Sequence, residues 1–296
     1  MRNAFIEELV TLATANDHIA LIVGDLGYGV IEPFADRFPD RFINAGVAEQ
    51  NMTGLAAGMA SEGYHVFTYS IANFPTFRCA EQIRNDVDYH KLPVTVVAVG
   101  GGLAYGNLGY SHHAVQDYAL MRCLPNMLIA APGDPMEVRA CMRYLVDNPQ
   151  PSYLRLGKAG ETIRHDVVPI VSPGKWLSLT PESATERTIL TTGTSLGIAS
   201  PWINKQVEME GYALHTLPLW GMSSKSHQAS EVCKWSDVIT LEDHLIDGGF
   251  GSWLMESLIL KPELISRLQI KGLNSIVCGM VGSQETLISA SGLVDS

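Results

Sequence analysis

Short runs of aliphatic and β-branched residues recur along the chain, and stretches with helical periodicity separate them. The runs His18–Val23, His65–Tyr69, Val94–Val99, Met127–Ala130 and Tyr153–Leu156 are apolar at nearly every position. A strand of that kind has no face it can show to water. Between the runs lie helical patterns at Ala4–Ala13, Ala48–Ser61, Thr76–Asp88, Ala114–Cys123 and Pro135–Val146. Strands buried on both faces and separated by helices predict an α/β fold, a mostly parallel sheet covered by helices on both sides.

The rhythm breaks over residues 157–187. Gly157-Lys158-Ala159-Gly160, Ser172-Pro173-Gly174 and Thr180-Pro181-Glu182-Ser183 have linker composition. It then resumes with strand patterns at Thr188–Thr192, Ala213–Leu217 and Val238–Leu241. Helical patterns follow at Ser195–Glu210, Gln228–Trp235 and Gly251–Leu260, and two further elements at Leu268–Lys271 and Ser283–Ala290. We expect two α/β domains, residues 1–160 and 185–296, joined by a linker over 161–184, which suits a chain of 296 residues.

Several function classes drop out. A net charge of −11 disfavours a general nucleic-acid or membrane-surface role. No stretch is apolar for long enough to span a bilayer. The amino terminus is acidic and amphipathic, unlike a signal peptide. Five cysteines without CxxC spacing suit a reduced cytoplasmic protein and suggest no zinc site.

Ligands of open parallel sheets sit beyond the carboxyl ends of the strands. Asp25, the segment Ser70–Phe77, the glycine-rich stretch Gly100–His113 and Arg155 all fall at or near such ends. Glu49 stands at the mouth of a small, apolar helical run, Gly46–Gly58. Burial penalises a charged carboxylate, so such a group suits holding or sharing a proton with a ligand; the alternative is a helix cap or first-turn charge. Phe74 and Phe77 can offer ring faces to a planar ligand or simply fill a core. The glycines can cradle an anion, although the Walker lysine is missing. His112-His113 suits acid–base work or loop polarity. Arg2 and Arg155 can grip a phosphate or form structural ion pairs. Asp247–Ser252, preceded by Glu242-Asp243-His244, suits architecture or an interface.

In order, these segments resemble the carboxyl-terminal half of transketolase over nearly the whole chain. Gly46-Val47-Ala48-Glu49-Gln50 resembles the family's G-(I/V)-x-E-(Q/H) signature, and Phe74-x-x-Phe77 its aromatic pair. Gly109-Tyr110-Ser111-His112 resembles its G-P-T-H turn. Leu124-Pro125-Asn126 with Pro132-Gly133-Asp134 resembles its L-P-N…P-x-D segment. Glu242-Asp243-His244…Gly248-Gly249-x-Gly251-Ser252 resembles the opening of its third domain.

The resemblance implies a thiamine diphosphate enzyme that moves a two-carbon ketol unit between sugars, with a pyrimidine-binding domain followed by a transketolase C-terminal domain. By carry-over, Glu49 meets ring nitrogen N1′, Phe77 with Phe74 behind it stacks on the pyrimidine, and Asp25 lines the cofactor cleft. His112 stands near the reacting oxygen, and Arg2 and Arg155 grip the sugar phosphate. The family's Gly-Asp-Gly…Asn diphosphate motif is missing from this sequence. The resemblance therefore implies a separate amino-terminal subunit that holds the diphosphate and its Mg2+ or Ca2+, in a two-plus-two heterotetramer. Two other readings are a pyruvate-acting subunit, of the 2-oxoacid dehydrogenase β or deoxyxylulose-phosphate synthase kind, and a non-catalytic assembly subunit.

Three positions depart from the family pattern. Leu108 replaces an aspartate, Gly100 a phosphate-gripping histidine, and Ala80 the third member of the aromatic cluster. Together they predict a wider, less polar substrate pocket.

Overall fold

The apolar runs of the first half lie side by side as strands. The computed structural model describes residues 1–180, 185–205 and 211–293. Its strands are β1 (Ile19–Val23), β2 (Phe42–Asn44), β3 (His65–Ile71), β4 (Val94–Val99), β5 (Leu128–Ala130) and β6 (Ser152–Leu156), then β7 (Leu177–Ser178), β8 (Arg187–Thr191), β9 (Tyr212–Thr216), β10 (Leu219–Gly221), β11 (Asp237–Leu245) and β12 (Leu268–Leu273). The first sheet has the order β10-β5-β6-β4-β3-β1-β2 and is parallel except for β10. The second has the order β12-β11-β8-β9-β7 and is parallel except for β7.

Every residue of β1, β4, β5 and β6 is buried. Alternate side chains feed two different cores. Val94, Val96 and Ala98 join Ile22, Met52 and Trp220, whereas Val97 and Val99 join Phe5, Leu21 and Phe67. On the second face, α1 (Arg2–Ala15) is tied down by Glu8, which is 2% exposed and accepts hydrogen bonds from Arg139 and Arg143.

Three short strands were not legible in the sequence: the three-residue β2, and β10 and β7. β10 has only three residues, follows Pro218, and comes from the second half of the chain to close the edge of the first sheet. β7 lies inside the stretch expected to be a linker and pairs with β9. The helix expected over Thr76–Asp88 is broken into α-helix Asn73–Phe77, a turn at Ala80–Gln82 and a π-helical turn over Ile83–Asp88. The break falls at Cys79, whose φ of −107° leaves the helical path. The helix from Ser195 is described to Lys205, and residues 206–210 of the expected span lie outside the described residues.

One buried guanidinium joins the sheets. Arg155 on β6 is 2% exposed. Its Nε donates to Asp117 Oδ2 (2.7 Å), its Nη1 to Asp243 Oδ1 (2.6 Å) and Tyr118 Oη (3.3 Å), and its Nη2 to the carbonyls of Ala114 (2.8 Å) and Asp243 (3.4 Å). Asp243 lies on β11, so the contact bridges the two sheets. Nearby, Glu242 accepts the Phe250 and Gly251 amides at 2.5 and 2.8 Å and caps the helix Phe250–Ser257. The Asp247–Ser252 stretch is thus architectural.

Helix Pro135–Asp147 starts on a second buried polar knot. Asp134 Oδ1 accepts the Glu137 amide at 2.7 Å, and Asp134 Oδ2 accepts the Arg164 and His165 amides and His165 Nδ1. Burial pushes the Glu137 carboxyl up to about 7, against the pull of the Gly133 amide. The folded protein therefore keeps a proton that the unfolded chain releases near 4.5. That contribution is present at low pH and is lost as pH rises through about 7. We expect the urea midpoint to fall between about pH 5 and pH 8. Glu137→Gln should flatten this slope by up to about 3 kcal/mol, the size of a shift of this order. An identical pH slope in the variant would remove Glu137 as its source.

Candidate active site

Glu49 opens the helix Glu49–Ser61 at the carboxyl edge of the first sheet. Ala48 is the N-cap residue and Glu49 the acidic residue of the first turn, so of the alternative reading the cap falls away and the first-turn charge stands. Its carboxylate is 3% exposed. Oε1 lies 3.5 Å from Ser70 Oγ, and Oε2 accepts a hydrogen bond from Arg78 Nη1 at 3.1 Å. The Arg78 guanidinium in turn sits 4.1 Å over the Phe74 ring.

From there a line of rings continues along the strand ends. Phe74 meets His112 edge-on at 5.3 Å between centroids, and His112 faces Tyr105 at 6.4 Å. The Lys158 ammonium lies 5.1 Å from the Tyr105 ring centroid. Asn73 holds the histidine turn by donating to the carbonyls of His113 (2.8 Å) and Ser111 (3.2 Å). A buried carboxylate thus stands at one end of this line of side chains and a cation at the other.

The structure brings together Glu49, Phe74 and His112 of the residues expected from sequence. Asp25 lies at the end of β1, exposed, with a φ of 55°. Asn44 and Tyr28 each donate to Asp25 Oδ1 at 3.0 Å and hold its carboxyl below the usual carboxylate range. Phe77 is 49% exposed, and it is Phe74 that carries the ring contacts to Arg78 and His112. His113 is fully buried and points to the Gly106 carbonyl, so the two adjacent histidines have different surroundings.

Two expectations need correction. Arg155 does not face a ligand cleft. It is saturated by the Asp117 and Asp243 network, which is its ion-pair alternative. The cations that share a cleft with Arg2 are Lys158 and Arg139, the latter paired with Glu7 and Glu8. The glycine run is likewise no anion cradle. A Cβ at Gly101 would lie 2.5 Å from Arg155 Nε, one at Gly102 2.2 Å from Asp243 Oδ2, and one at Gly100 2.1 Å from the Tyr105 ring. The glycines let the backbone pass directly over the ion pair.

Sequence reasoning missed Arg78, Tyr105 and Lys158. Arg78 had a signal, being a lone cation beside the aromatic pair. Tyr105 and Lys158 had none, because only folding brings them within reach of each other. Asp134, Glu137 and His165 offer possible metal-ligand atoms within 4.8 Å of one another. However, Asp134 Oδ2 already accepts three hydrogen bonds there, and the group holds a helix terminus. Among the described residues no helix is long and apolar enough to cross a membrane, and all five cysteines are free thiols.

The seat at Glu49 makes two demands on an occupant. It offers an acceptor oxygen to a planar N–H cation and an aromatic face to stack on. Arg78 meets both with its own guanidinium.

Comparison with known proteins adds the following. Residues 1–160 match the model of the transketolase pyrimidine binding domain. The chain is 33% identical over 300 residues to the "Putative transketolase C-terminal section" of Methanocaldococcus jannaschii, covering 99% of this chain and 92% of that one. It is 31% identical to one of the subunits of the apulose-4-phosphate transketolase of Phocaeicola vulgatus, over 88% and 84% of the two chains. A solved split-gene transketolase, described as an inactive beta4 tetramer, superposes with a TM-score of 0.84 at 30% identity, over 99% of this chain and 93% of that one.

The Arg78–Glu49 pair is testable by itself. Arg78→Ala leaves a buried carboxylate with only the distant Ser70 hydroxyl, and should lower stability by about 1–2 kcal/mol, since Arg78 is half exposed. Adding Glu49→Gln should restore part of that loss in a denaturation double-mutant cycle. Strict additivity of the two changes would show that the pair does not couple.

Proposed function

The chain belongs to the transketolase family, and from that premise we propose that it is the carboxyl-terminal subunit of a split transketolase, moving a two-carbon ketol unit between sugars. Residues 1–160 serve as the pyrimidine-binding domain, 161–184 as a linker and 185–296 as the transketolase C-terminal domain. The observation that carries the reading is the seat itself, in which a buried Glu49 carboxylate is paired with a flat N–H cation lying on Phe74.

That pairing suits the aminopyrimidine of thiamine diphosphate, another flat ring with N–H donors. Bound there, the cofactor supplies the electron sink for breaking and making the carbon–carbon bond. Glu49 would hold the proton at the ring nitrogen, and Phe74 with Phe77 would supply the stacking wall. Asp25 would line the cofactor cleft. His112, fixed through Ser111 Oγ at 3.0 Å from Nδ1 and by Asn73 under the turn, would face the substrate oxygens. Arg2 would meet the anionic end of the sugar.

Nothing in the sequence offers the Gly-Asp-Gly…Asn set for a diphosphate and its Mg2+ or Ca2+. We assign that half of the site to a separate amino-terminal subunit, in a two-plus-two assembly in the cytoplasm. The 30% identical solved relative is described as an inactive tetramer of β chains, which suits a chain that works only with a partner.

The test is reconstitution with the amino-terminal subunit, thiamine diphosphate and magnesium, followed by a donor–acceptor screen. Wild type should transfer a ketol unit without releasing carbon dioxide from pyruvate. Glu49→Gln should lose at least about a hundredfold in kcat and His112→Asn about tenfold, magnitudes typical of lost proton handling. Full activity in the Glu49→Gln complex would end the catalytic assignment.

A further inference from the structure

Arg78 lies where a ligand of the Glu49 seat would lie, and little holds it there. It ends the helix Asn73–Phe77 with helical angles (φ −67°, ψ −30°), four residues after Phe74, the spacing that sets its side chain beside that ring. At Cys79 the chain leaves the helical path. A π-helical turn follows over Ile83–Asp88, a form that often accompanies functional sites.

Comparison with Arg155 shows how loosely Arg78 is held. Arg155 is buried and donates five hydrogen bonds. Arg78 is 49% exposed and, among the described residues, donates one, to Glu49 Oε2 at 3.1 Å. A half-exposed guanidinium exchanges such a bond for water at little cost. Its partner has no such freedom. The Glu49 carboxylate is buried, and its other oxygen has only Ser70 Oγ at 3.5 Å. The carboxylate therefore requires a donor, but the geometry does not require that the donor be Arg78.

An aminopyrimidine and Arg78 compete for the same two features, the Glu49 acceptor and the Phe74 face, and the guanidinium already lies on both. We propose that Arg78 is a built-in plug. It closes the seat by presenting the N–H edge and flat face of a ligand, and it swings out through its exposed side when the ligand enters. The proposal rests on the transketolase reading for the identity of that ligand. Apparent affinity then falls with the fraction of chains whose seat is open. The plug also keeps the buried carboxylate paired until a ligand arrives, so stability and affinity depend on Arg78 with opposite signs.

Two probes test it. The first is thiamine diphosphate with magnesium, titrated into the reconstituted enzyme and followed by protein fluorescence. Arg78→Ala, and Arg78→Met, which keeps an apolar stem beside Phe74, should bind about fivefold to thirtyfold more tightly than wild type, although each is less stable. Equal or weaker binding would overturn the plug, because removing a residue that helps to hold the cofactor lowers affinity. The second probe is benzamidine, a flat aromatic amidinium, added to the isolated chain. At one concentration it should raise the Tm of Arg78→Ala by several degrees and that of wild type by little. The gain should vanish in the double variant Arg78→Ala, Glu49→Gln. Equal Tm gains in wild type and Arg78→Ala would also overturn the plug. If thiamine diphosphate binds no form of the reconstituted enzyme, the functional reading fails, and the benzamidine arm still decides whether Arg78 closes the seat.

Discussion

The Arg155 ion pair is the contact around which this chain is arranged. A guanidinium in the interior is tolerable only with its N–H groups satisfied. Here Asp117 and Asp243, two carbonyls and Tyr118 occupy them. One partner, Asp243, comes from β11 of the second sheet, and removing one member of such a set costs about 3–5 kcal/mol by leaving a buried charge unpaired. The two sheets therefore depend on each other through charge geometry as well as apolar burial. β10 adds to this by leaving the second half of the chain to complete the first sheet.

The loop of the candidate site inherits its path from that contact. Gly101 and Gly102 pass so close to Arg155 and Asp243 that a Cβ at either would collide. Arg155 Nη2 holds the Ala114 carbonyl, and Gly102 pairs with Ala114 across the base of the loop. Leu103 and Val115 sink into the core of the second sheet. Between these anchors the turn carrying Tyr105 and His112 is fixed over the strand ends. Precision at the candidate site thus comes from a supporting layer behind it.

Glu49 shows how much of the site was legible in the chain and how much was not. A carboxylate opening a small, apolar helix admits either chemistry or a first-turn charge by sequence, and the structure brings it together with Phe74 and His112. Its pairing with Arg78 was not legible, because the contact joins two segments 29 residues apart. Arg155 shows the reverse failure. Its place at the end of a strand suggested a ligand, whereas burial turned it inward. No local pattern tells an arginine that grips a phosphate from one that grips two aspartates, since the difference lies in which carboxylates the fold delivers.

The sequence by itself determined the layered α/β architecture, because strands apolar on both faces have few ways to hide from water, and period and spacing reveal them. It also marked the carboxylate, the aromatic pair and the histidine turn, whose residue types are unusual for their local surroundings. Tertiary structure alone decided which cations face the cleft, why the glycines are glycines, and that Tyr105 occupies the room left by Gly100. Those outcomes depend on contacts between distant segments, fixed by which side chains meet once both sheets are packed and their buried charges paired.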